Sequence, residues 1–242
     1  MLTPAESKNE KLARNASKYS REHILEGSTQ LESNGYDVNK RLALQRAIGD
    51  LRQASEDDKA FLLNIDYTIC VFEQKIANCK KLAIGNCHEL AQMALHYMIT
   101  EQPDVNAEVY YIKGGDHVFL VVGRKIKSAP HRPDTWGDEA YICDPWSNNV
   151  YPANEYLTKT KNFFQVSTAD GAYTNHTEYF NPLRHKLSPF PNENTNYILS
   201  TTAKSNTILL SVFVTINEKY LSIYDDLIKD LGPFNHEVQQ CI

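Results

Sequence analysis

Apolar and polar residues alternate along the chain in two distinct periods, and the change of period divides it into regions. From Val38 the apolar positions Leu42, Leu44, Ala47, Ile48 and Leu51 recur at three- and four-residue steps, which predicts an amphipathic helix ending near Ala54. Residues 57–81 repeat this spacing through Phe61, Leu62, Leu63, Ile65, Ile69, Val71, Phe72 and Ile76, and predict a helix with an interruption. After Gly85, residues 87–100 place Leu90, Ala91, Ala94, Leu95 and Met98 on one side, with no Pro or Gly inside, so a further helix is expected to begin at Asn86-Cys87.

The period then shortens. Residues 108–113, 117–123 and 140–143 are short runs rich in Val, Ile, Tyr and Phe, separated by Gly-Gly-Asp and by a loop containing Pro and Gly. They predict neighbouring antiparallel strands. Residues 151–191, rich in Tyr, Phe, Asn and Pro, read mostly as loop that could wall a substrate groove. An apolar run over 208–214 predicts a strand, and 217–231 predicts a closing helix stopped by Gly232-Pro233. The first 38 residues, rich in Ser, Asn, Lys and Glu, predict a flexible or loosely helical lead-in.

Composition narrows the function classes. The chain has 242 residues, 42% of them hydrophobic, enough for a sizeable core in one large domain or two small ones. Its net charge of −5 and lack of a basic stripe argue against nucleic acid as a partner. No apolar run is long enough to span a membrane, and residues 1–20 carry no apolar secretory core, so a cytoplasmic location is expected. Five cysteines (Cys70, Cys79, Cys87, Cys143 and Cys241) are odd in number in a chain that needs no stapling, which points to free thiols.

Three local sequences carry the candidate chemistry: Gly85-Asn86-Cys87-His88-Glu89-Leu90-Ala91, Gly115-Asp116-His117-Val118-Phe119, and Tyr141-Ile142-Cys143-Asp144-Pro145-Trp146. A cysteine in the first turn of a helix meets the positive end of the helix dipole and unpaired N–H groups, which favour thiolate. A histidine opening a strand can be aimed at a sulfur one strand-width away, as base and then acid. An acid on the next strand can hold the second ring nitrogen and set the tautomer. Cys87, His117 and Asp144 are thus expected as nucleophile, general base and orienting carboxylate.

The remaining polar residues suit plainer roles. Cys70, Cys79 and Cys241 read as small buried hydrophobes, and Cys143 should point away from the face used by Asp144. His88 and His96 are eight residues apart, which does not make a His-Glu-x-x-His zinc site, and no metal or cofactor is called for. Glu89 is expected to contact the helix N-terminus, Asp116 to lie in a turn, and Trp146 to pack over the site.

The pattern Gly-Asn-Cys-x-Glu-x-Ala, Asp-His-x-Phe-x-Val-Val and Asp-Pro-Trp resembles the papain-like and transglutaminase-like thiol enzymes, particularly compact versions among bacterial effectors. The likeness covers residues 85–156. It implies an α+β fold over residues 39–242, with the cysteine helix packed on an antiparallel sheet, and acyl transfer at amide bonds of a protein substrate. The reaction would be that of a protease, a glutamine deamidase or a transglutaminase. It also implies delivery into a host cell. Papain-like proteases place an oxyanion-hole glutamine shortly before the cysteine; the upstream amides here are Gln74, Asn78 and Asn86, none at the matching place. Gln74, Asn86 and Trp146 are carried forward as oxyanion or substrate-binding candidates. Two rivals stand beside this reading: a non-catalytic binding module on the same fold, and an arylamine-type acyltransferase using a small acyl donor.

Overall fold

The computed structural model describes residues 7–28, 36–61, 69–167 and 173–205. The strand and helix expected over 208–214 and 217–231 lie outside them, as does Cys241. The described elements run α1 (Lys8–His23), α2 (Val38–Phe61), α3 (Ile69–Leu82), α4 (Cys87–Glu101), β1 (Ala107–Lys113), β2 (Val118–Val122), β3 (Tyr141–Asp144), β4 (Asn149–Pro152), α5 (Tyr156–Lys159), β5 (Lys161–Ser167), β6 (Tyr173–Tyr179), β7 (Lys186–Asn194) and α6 (Thr195–Ser205). The α+β class expected from the sequence is what the chain adopts.

Five strands form an antiparallel sheet in the order β4-β3-β2-β1-β7, and β5 and β6 pair separately as a hairpin. Side chains alternate across the sheet. Leu120 and Val122 of β2 enter the core beneath the helices, with Val109, Tyr141 and Cys143. Phe119 and Val121 enter a second core on the opposite face, with Tyr110, Ile112, Ile142 and Trp136. The loop carrying Trp136 closes that second face, its indole N–H donating to the Ala129 carbonyl at 2.9 Å.

Helix α4 is the central element on the other face. Ten of its fifteen residues are buried, so it is a core helix packed on several sides rather than a surface helix with one apolar stripe. It contacts α1, α3 and α6 as well as β1 and β2.

Three expectations need correction. The lead-in is not loose over 8–23: α1 is a regular helix, capped by Ser7, that packs on α4 and β3. Its buried face consists of Leu12, Ala13, Ala16, Ser17 and Ser20. The Ala and Ser residues among them let the backbones approach closely, with Ser20 Oγ donating to the Leu90 carbonyl at 2.7 Å. The helix begun at Val38 runs on to Phe61, and a second begins at Ile69. Residues 151–191 are not mostly loop; they hold α5, β5, β6 and the first part of β7.

No helix among the described residues is long and apolar enough to cross a membrane.

Candidate active site

The site forms where the first turn of α4 meets the ends of β2 and β3. Cys87 is the first residue of α4, directly after Asn86, whose backbone is extended. Glu89, the third residue of the helix, accepts the Asn86 N–H at 2.9 Å and closes the turn from within. Gly85 is required just before it: a Cβ there would lie 2.5 Å from Glu89 Cβ.

His117 arrives on the turn between β1 and β2. Gly114 lies in that turn at φ +86°, a region L side chains rarely adopt, and Asp116 sits in the same turn, as expected. Leu120, three residues beyond His117, pairs with Cys143, so the register brings His117 beside the end of β3, where Asp144 lies.

These placements assemble the three residues. His117 Nε2 lies 2.7 Å from Asp144 Oδ2, with both side chains buried. The Cys87 side chain lies within electrostatic reach of the imidazole. With Nε2 committed to Asp144, Nδ1 is the ring nitrogen left for the sulfur. Burial alone would push the imidazole toward its neutral form, but the Asp144 carboxylate and the Cys87 sulfur outweigh it and raise its pKa well above 6.5.

The acid is held in turn. Asp144 Oδ2 accepts from Ser147 Oγ at 2.7 Å, and Oδ1 from the Ser147 N–H at 3.3 Å. Arg21 of α1 donates to the Pro145 carbonyl at 3.0 Å, fixing the following turn to the N-terminal helix. Trp146 packs edge-on against His117, ring centroids 5.1 Å apart, and is 2% exposed, so it walls the imidazole in.

Cys87 keeps partial exposure, whereas Cys79 and Cys143 are buried. Burial pushes both of those thiols above their ordinary value, which leaves them unreactive. The Cys143 sulfur donates to the Ala13 carbonyl, on the helix side of β3.

The two amides carried forward as oxyanion or substrate-binding candidates each hold a neighbouring polar side chain. Gln74 donates to Asn78 one turn along α3 at 3.0 Å, and Asn86 Nδ2 donates to Ser28 Oγ at 3.1 Å.

Two groupings beside Cys87 have no counterpart in any local sequence pattern. Arg52 of α2 grips Glu89 with two bonds, Nε to Oε1 at 2.7 Å and Nη2 to Oε2 at 2.8 Å. Burial opposes the Glu89 charge, but Arg52 overcomes this and holds the carboxyl down to about 2. On the other side, His88 Nε2 lies 2.9 Å from Glu193 Oε2, and its ring stacks on Phe190 with centroids 5.0 Å apart. Gln92 donates to the same carboxylate at 3.0 Å. Among the described residues, no cluster of three or more His, Cys, Asp or Glu is placed to hold a metal ion.

Comparison with protein-family models, with curated proteins and with solved structures finds no match to the chain.

Proposed function

We propose that the chain is a cysteine-dependent acyl-transfer enzyme acting on amide bonds of a protein substrate, built on a papain-like core. The observation that carries this reading is the buried His117–Asp144 pair, with the part-exposed Cys87 within electrostatic reach of the imidazole.

In this reading Cys87 passes its proton to His117 Nδ1, and the sulfur attacks the carbonyl carbon. The first-turn N–H of Cys87, which has no partner inside the helix, faces the developing oxyanion. The carbon–nitrogen bond breaks as His117 returns the proton to the departing nitrogen, leaving a thioester. Water or an amine then attacks, with His117 taking its proton and the thiol released. Asp144 keeps Nδ1 turned toward the sulfur throughout. Water acting after cleavage of a backbone amide gives a protease, water acting on a glutamine-derived thioester gives a deamidase, and an amine acceptor gives a transglutaminase.

The three are separated by incubating the protein with a mixed proteome and a fluorescent primary amine. New N-termini, released ammonia and covalent amine incorporation are read in parallel. One of these signals, absent with Cys87→Ala, is the expected result. If none depends on Cys87, the reading is wrong.

A further inference from the structure

Glu89 poses an electrostatic problem for a nucleophile at Cys87. Its carboxylate is 4% exposed and sits on the first turn of α4, two residues beyond the sulfur. It closes that turn by accepting the Asn86 N–H. An anion there suits the helix, but it also offsets the positive helix end that would favour negative charge on sulfur.

The groups that face this carboxylate decide the balance. Arg52 binds it fork to fork, at 2.7 and 2.8 Å, and is itself half exposed. Its guanidinium also interacts electrostatically with Cys87 and Asp116. His88 shares the turn, but its Nε2 is directed to Glu193. Arg52 is therefore the cation in bonding contact with Glu89, and it is supplied by a different helix from the nucleophile.

We propose that Arg52 is a positioning residue for the nucleophile, cancelling the Glu89 charge so that the α4 N-terminus presents a positive field to the Cys87 sulfur. The inference rests on the acyl-transfer reading and adds to it a requirement that α2 be docked for the thiol to be competent.

The test measures the rate of iodoacetamide labelling of Cys87 at about pH 6, by intact mass. It compares the wild type with R52K, R52Q, E89Q and the double variant R52Q/E89Q, with melting curves alongside. R52Q, which strands the carboxylate, is expected to slow labelling by about tenfold or more. R52K keeps the charge without the fork and should hold most of the rate while melting lower. E89Q should label at least as fast as wild type, and the double variant should recover most of the R52Q loss.

A merely structural role predicts otherwise, with R52K and the double variant as slow as R52Q; that result overturns the proposal. So does an R52Q rate equal to wild type. Should R52Q alone fail to fold, E89Q and R52K still decide, because an E89Q rate well below wild type contradicts charge cancellation. Loss of the acyl-transfer reading is distinguishable: there, wild-type labelling of Cys87 would itself be insensitive to His117→Ala, and the Arg52 role would fall with it.

Discussion

Ser147 and His117 share one oxygen. The Ser147 hydroxyl donates to Asp144 Oδ2 at 2.7 Å, and His117 Nε2 approaches the same atom at 2.7 Å from the other side. The carboxylate is thus fixed by a residue three positions further along its own turn, and it transmits that fixed orientation to the imidazole.

Removing the hydroxyl should loosen the acid without unfolding the chain. A hydrogen bond to a charged group contributes about 1.5–3 kcal/mol, so Ser147→Ala should lower turnover by roughly ten- to a hundredfold. Asp144→Asn, which disturbs the tautomer itself, should cost more, up to about 10⁴-fold. Comparing kcat of the two variants on one substrate checks the order; a Ser147→Ala enzyme slower than Asp144→Asn would contradict it.

The Glu89 carboxyl predicts a specific acid sensitivity. Its value in the fold is lowered from 4.5 to about 2, so its contribution to stability is complete above pH 4.5 and drains away as pH falls toward 2. That contribution is on the order of 3 kcal/mol. Urea unfolding at stepped pH should therefore show a fall in stability across this window, and Glu89→Gln should flatten it.

Gly85 is expected to tolerate no side chain. The added Cβ of Gly85→Ala would meet Glu89 Cβ at 2.5 Å, and Ile24 Cδ1 approaches to 3.3 Å, so the turn must shift. Such overpacking costs about 1–3 kcal/mol. A lowered melting temperature together with slower labelling of Cys87 is the expected pair of effects, since the same turn carries both Glu89 and Cys87.

The legible parts of this chain were those whose signal is local. Cys87, His117 and Asp144 each lie in a short, chemically distinctive sequence, and the 87–100 periodicity matches α4 to within one residue. The strands at 107–113, 118–122 and 141–144 follow from apolar runs and intervening glycines. Helix α1 is hidden because its buried face, Leu12 apart, is made of Ala and Ser, which do not register as an apolar stripe. Strand β7 is hidden by Pro189 and Pro191, which it tolerates as an edge strand paired, among the described residues, only with β1. Arg52 and Glu193 reach the first turns of α4 from 37 and 105 residues away from their partners Glu89 and His88, and no local pattern announces such pairs.

The central claim is an activated Cys87–His117 pair, and selective alkylation tests it most directly. The protein is treated with iodoacetamide at about pH 6 and weighed intact, comparing wild type with Cys87→Ala and His117→Ala. One rapid adduct at Cys87, lost in Cys87→Ala and markedly slowed in His117→Ala, is the result expected. Slow labelling of several cysteines, indifferent to His117, would contradict the account.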